Sequence, residues 1–141
     1  MALTPSIPEA MRWLRQAMHD LQAARNDIQH CCPDWVLFKV HQALAKALVA
    51  AVLCRDEAFE GRGGLMGVAQ RLEAEEPELR GLVLGLQWLC DHGMDAKATQ
   101  YPSYHPLPMI PSEAFRNVDE KAVLKQAGKV LKTLKKHVDR K

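Results

Sequence analysis

At 141 residues the chain has the length of a single domain, 1–141, and a domain of that size buries roughly two-thirds of its unfolded surface. Apolar content of 48% with 26% charged residues is ordinary for a soluble globular protein, and a net charge of +2 gives no overall field to mark a nucleic-acid binder. The longest apolar stretch is interrupted by lysines and a glutamine short of the roughly 18 residues a membrane span needs, so no transmembrane segment or membrane partner is expected.

The opening MALTPSIPEAMRW has neither the leading positive charge nor the apolar run of a secretory signal, so a cytoplasmic protein is expected. Cys31, Cys32, Cys54 and Cys90 show no CxxC spacing and read as reduced thiols.

Ser6-Ile7-Pro8-Glu9 has the form of a capping box with an early proline, and predicts a first helix over about 6–30. Along it Met11, Leu14, Met18, Leu21 and Ile28 form an apolar line that includes Arg25. A guanidinium on a core-facing line needs an anionic partner, because stripping a buried charge of its partner costs about 3–5 kcal/mol. That partner is either an internal carboxylate, such as Glu73 or Asp119, or a bound anion.

Cys31-Cys32-Pro33-Asp34 breaks the chain into a helical hairpin, with Asp34 available to cap a second helix over about 34–55. This helix is apolar almost all round, as a central helix must be. Its exceptions, Lys39, Gln42 and Lys46, fall on one narrow stripe by their three- and four-residue spacing. Arg25, Lys39, Gln42 and Lys46 are therefore candidates for a phosphate-binding pocket between the first two helices, since Arg forks and Lys point charges bond strongly to anionic oxygens. Otherwise the lysines reach out to water along their stems. His41 sits on an apolar face as a core histidine, and Trp13, Trp35 and Phe38 read as core aromatics.

Arg62-Gly63-Gly64 marks a corner before a short helix over about 65–75, and Pro77 opens a fourth over about 77–91 that Gly93 stops. The fourth helix carries Leu84 and Trp88 opposite its main apolar face, which makes them candidates for a dimer interface or a seat for the following loop. That loop, 92–116, contains four prolines with Tyr101 and Tyr104 and is expected to lie over the helices as a stiff strap. Asn117-Val118-Asp119-Glu120 caps a last helix over about 117–138. Its apolar line faces a row of lysines, Lys121, Lys125, Lys129, Lys132 and Lys136, which is either a solvated face or a holder of RNA or an acidic partner. No aromatic residue interleaves to stack bases, so nucleic acid is not the expected partner. No strand-like alternation occurs, and the fold class is all-α with about five helices in an up-and-down bundle. His30-Cys31-Cys32 and Cys90-Asp91-His92 contain metal-ligand residue types without the spacing of a zinc site, and no metal is expected.

Ala24-Arg25-Asn26-Asp27, then Trp35 and Phe38, then Gln42-Ala43-Leu44-Ala45-Lys46-Ala47-Leu48 resemble the HEPN family, whose helical pair reads as an aromatic followed by QAxEKAxK. Ala45 stands where that family usually has glutamate. The likeness is nearer still to the sacsin-type members: Pro8 to Ala17, Ala23 to Asp27, Tyr101-Pro102 and Ile110-Pro111 share in it, over nearly the whole chain. This resemblance implies an HEPN bundle that forms a homodimer, binds a purine nucleotide such as GTP or ATP, needs no cofactor, and works without catalysis as an appendage of a chaperone system with chaperone partners. Gln100 stands where many relatives have an arginine before Tyr-Pro, which removes one candidate phosphate contact.

Two rival readings remain. Arg25 and His30 have the R-x4-H spacing of ribonuclease members of the family, in which His would act as acid or base while Arg steadied phosphorane charge. The other rival is a purely structural dimerisation domain.

Overall fold

The computed structural model describes residues 4–28 and 30–141. Six α-helices account for most of them: α1 (Ile7–Asp27), α2 (Pro33–Leu53), α3 (Gly64–Glu75), α4 (Leu82–Asp91), a one-turn α5 (Pro111–Ala114) and α6 (Glu120–Asp139). Single 3-10 turns occupy Pro77–Leu79 and Pro102–Tyr104. No strand occurs among the described residues.

α1 starts where its sequence signal lies: the Ser6 hydroxyl accepts from Glu9 N at 3.2 Å. It ends at Asp27, before the predicted limit, part of which falls on Gln29 outside the described residues. α1 and α2 pack as antiparallel neighbours, because Lys39 reaches Asp27 and, seven residues further along α2, Lys46 reaches Asp20 seven residues back along α1.

The core-facing stripe of α1 keeps Leu14 and Leu21 of the predicted line, with Met11 and Ile28 packed at its edge, but alanines make up the rest of it. Ala10, Leu14, Ala17, Leu21 and Ala24 are buried, while Met18 is 42% exposed and Arg25 is exposed. Opposite them α2 buries Ala43, Ala47, Ala50 and Ala51 with Leu37 and Leu44. Small side chains on both helices let the axes approach closely, and this close approach puts the Met11, Met18 and Arg25 line on the border of the core.

α2 is the central helix. By length and composition it is apolar enough to cross a membrane even with its lysines, yet 67% of that apolar window is buried inside the bundle. Cys32, not Asp34, holds its N-cap position, since Pro33 supplies the first helical residue without an N–H to satisfy. Asp34 falls in the first turn and is buried, with Oδ1 unpaired.

α6 closes the bundle against both α1 and α2, while α3 and α4 form a second hairpin on α2 and α6. α4 begins at Leu82, five residues after the predicted start, because Pro77 initiates only one 3-10 turn and Gly81 then takes a left-handed conformation at φ 90. At its far end Gly93 (φ 108) donates to Cys90 O and Met94 N donates to Leu89 O at 3.0 Å, a Schellman stop that buries Met94.

The strap packs on the bundle at a few points only among the described residues. Thr99 and Pro111 are buried and Phe115 packs on the core, but Tyr101 and Tyr104 face solvent, contrary to their expected role in holding it down. α6 starts at Glu120, with Asp119 rather than Asn117 capping it by accepting from Ala122 N at 3.0 Å.

Candidate functional site

The predicted cation set separates into two groups. Lys39, Gln42 and Lys46 do share one edge of α2, facing α1. There Lys39 pairs with Asp27, and Lys46 Nζ lies 2.6 Å from Asp20 Oδ2. Arg25 is elsewhere: at about 100 degrees per residue it projects about 140 degrees around α1 from Asp20. Its Nη2 lies 3.2 Å from where a β-carbon would stand on Gly128 of α6. Neither Glu73 nor Asp119 meets it, because Glu73 accepts from Val83 N and Asp119 caps α6. The four-residue pocket is thus not assembled; α1 stands between Arg25 and the α2 lysines.

Gln42 and Lys46 instead join a different setting. Between α2, α3 and the chain that links them lies a cleft of about 430 Å³ lined by Trp13, His41, Gln42, Lys46, Phe59 and Leu65 among others. It is mainly apolar. Trp13 is oriented by Nε1 donation to Glu9 Oε1 at 3.2 Å, and Gly64 at the cleft's rim, with φ 66, turns the chain into α3. His41 has no partner for Nδ1, and its pKa is lowered by burial, opposed by the charge of Asp95. The imidazole therefore favours its neutral form beside the apolar wall.

The same Trp13 and Lys46 border a second, open groove of about 680 Å³ on the outer face of α1, with Glu9, Arg12, Arg15, Gln16 and His19. Arg12 pairs with Glu9 at 3.0 Å, whereas Arg15 has no carboxylate partner among the described residues. An apolar slot thus meets a groove rich in cations at one Trp–Lys boundary. Arg12, Arg15 and His19 were not singled out from the sequence, although their three- and four-residue spacing puts them on one face of α1. Phe59 and Leu65 had no sequence signal, because nothing local says that the α2–α3 link folds back over α2.

The model of the HEPN domain family matches residues 10–137. The chain belongs to the HEPN family. Human sacsin is 37% identical over 111 residues, which is 76% of this chain and 2% of sacsin. The chain thus spans only a small fraction of that relative. The crystal structure of TT1696 from Thermus thermophilus superposes with a TM-score of 0.68 at 26% identity, covering 91% of this chain and 97% of that one. An all-α HEPN fold related to sacsin is thereby established.

In this HEPN domain the R-x4-H residues do not share a helix. Arg25 lies within α1, whereas His30 follows the end of that helix and lines a polar hollow with Ser112, Arg116 and Glu120. Cys31 and Cys32 are joined as a disulfide rather than held as thiols. Cys54 remains a thiol, and burial pushes its pKa up to about 11. Among the described residues, Glu76, Glu78 and His137 bring potential ligand atoms within 4.8 Å of one another. Arg55 (3.3 Å) and Lys141 (3.6 Å) already supply cations to Glu76 there, and His137 Nδ1 is 2.9 Å from Glu78. On α4 Leu84 is 78% exposed, while Trp88 is half-buried and stacked on His92 with ring centroids 3.7 Å apart. Trp35, read as core, is 47% exposed with Phe38 edge-on to it.

Proposed function

We propose that this HEPN domain is a non-catalytic nucleotide-binding and dimerisation module of a sacsin-like chaperone system, with a purine nucleotide such as GTP or ATP as its ligand. The observation that carries the ligand is the boundary at Trp13 and Lys46, where a mainly apolar cleft opens onto a cationic groove. A purine ring needs apolar walls and a few directional polar groups, and the cleft offers Trp13, Phe59 and the Gln42 amide, which both donates and accepts. Phosphates need cations, and Lys46, Arg15 and Arg12 lie along the groove. Lys39, which lines neither the cleft nor the groove, and Arg25, on the α6 side, take no part in this version of the site.

A role without catalysis is supported by the break in α1 between Arg25 and His30, which leaves the two without a common helical face. The sequence relationship to sacsin supports the chaperone-system and cytoplasmic setting. Exposed Leu84 supports self-association through α4.

Titration calorimetry with GTP, ATP and UTP tests the ligand. Purine nucleotides are expected to bind and to be weakened at least about tenfold by Arg15→Ala or Lys46→Ala, a loss of about 1.4 kcal/mol. Absence of heat at about 1 mM nucleotide, where the binding energy is only about 4 kcal/mol, would remove the ligand from the proposal.

A further inference from the structure

The charges of this chain are sorted. Residues 120–141 hold eight Lys and Arg side chains against two carboxylates, a net of +6, although the whole chain carries only +2. The other residues therefore carry a net of −4. Within α6, Lys121, Lys125, Lys129, Lys132 and Lys136 are exposed and have no carboxylate partner among the described residues. At about 100 degrees per residue they fall within an arc of about 80 degrees, and at about 1.5 Å rise they span about 22 Å of helix. Asp139, the one acid on this line, is held by Lys135 at 2.7 Å.

Two cations from other parts of the fold flank the row. Arg25 reaches over from α1 to rest on Gly128, which lies about 20 degrees from Lys121 around α6. On the opposite edge Arg80, at the foot of α4, shares a small hollow with Lys129 and Thr133. Three separate stretches of chain thus contribute to one positive face. Such a face costs stability, since like charges four apart on a helix repel by about 0.2–0.5 kcal/mol per pair and three such pairs occur here.

We infer that this face, the α6 lysine row flanked by Arg25 and Arg80, is a docking surface for an extended acidic polypeptide segment. Alternate residues of an extended chain recur at about 6.6 Å on one side, close to the rise of about 6 Å between lysines four apart. Lysine, a flexible point charge, suits carboxylates whose positions vary from one partner to another. Nucleic acid fits less well, because α6 carries no aromatic residue on which bases could stack. The surface lies outside the Trp13–Lys46 cleft, so it stands or falls apart from the nucleotide reading.

The test is fluorescence anisotropy with a labelled peptide of alternating Glu and Ser, about 12 residues long, against a Lys–Ser peptide and an oligouridylate of equal length. The Glu–Ser peptide is expected to bind at low salt and to lose at least about tenfold in affinity between about 50 and 200 mM salt. The K125E/K129E/K132E variant, whose exposed positions leave the fold intact by circular dichroism and melting temperature, is expected to lose at least about tenfold more. Arg25→Ala is expected to weaken binding about two- to fivefold. No binding of the acidic peptide, equal binding by the triple variant, or tighter hold on oligouridylate than on the peptide through these lysines would each overturn the inference.

Discussion

The guanidinium of Arg25 on α1 rests in the space a side chain would fill at Gly128 on α6, with Nη2 3.2 Å from the missing β-carbon. A glycine in the interior of a helix costs about 0.5–1 kcal/mol relative to alanine. Here the neighbour that would have to give way is the far end of a flexible, exposed side chain. Gly128→Ala is therefore expected to stabilise the domain by about 0.5–1 kcal/mol, raising the melting temperature by about 2–4 °C. A fall in melting temperature would show that Arg25 is held in place by something other than van der Waals contact.

The same substitution at Gly85 on α4 is expected to have the opposite sign. A β-carbon there would stand 3.1 Å from both Gln126 Nε2 and Val130 Cγ2. Val130 is buried and β-branched, so it has one strongly preferred rotamer in a helix and cannot swing aside. Overpacking of about 1–3 kcal/mol then exceeds the gain in helix propensity, and Gly85→Ala should lower stability by about 1 kcal/mol in urea denaturation. An unchanged midpoint would mean that α4 and α6 move apart freely.

These two glycines also mark how far the sequence could be read. The all-α class, the hairpin at Pro33 and the starts and stops at Ser6 and Gly93 follow from local chemistry that neighbouring residues complete among themselves. Arg25 was misplaced because helical periodicity ranks a face by its apolar residues, and Met11, Met18 and Ile28 outweighed the alanines. The structure selects the alanines, since two helices approach best where side chains are smallest, and that choice depends on the alanines of α2 rather than on anything within α1. The Lys–Asp pairs have the same origin. Lys39 and Lys46 were correctly placed on one edge, but their partners lie on the opposite helix in a register that only the packed hairpin sets. Gln42 and Lys46 were thus legible as neighbours on one edge of α2, whereas the cleft they line with Phe59 and Leu65, and the groove beside it with Arg15, needed the fold.

His41 gives the domain a pH dependence with a definite sign. Burial lowers its folded pKa below the ordinary 6.5, so the unfolded chain takes up its proton first as acid is added. Its contribution to stability is fully present above pH 6.5 and is lost as the pH falls from there through the lowered folded value. Melting temperature should drop as the pH falls from about 6.5 to 5.5, a window above that in which carboxylates titrate. His41→Gln, which cannot protonate, should flatten that part of the profile. An unaltered slope in the variant would assign the dependence to another group.

Leu84 offers the sharpest test of self-association. It is 78% exposed in the isolated chain, one helical turn before Trp88, which is half-buried and stacked on His92. A stable dimer buries about 800 Å² per partner, far more than one leucine provides, so Leu84 would be the centre of a wider patch rather than the whole of it. Being exposed, it contributes little to the fold, and Leu84→Glu should change monomer stability by less than about 0.5 kcal/mol. In a dimer built on α4, two glutamates brought together near a symmetry axis would be desolvated with no cation between them. Sedimentation velocity over a hundredfold range of concentration should then find the parent chain associating and the variant monomeric. If the parent sediments as a monomer throughout, the dimer fails; if the variant still associates, the interface lies elsewhere and Leu84 is free for another partner.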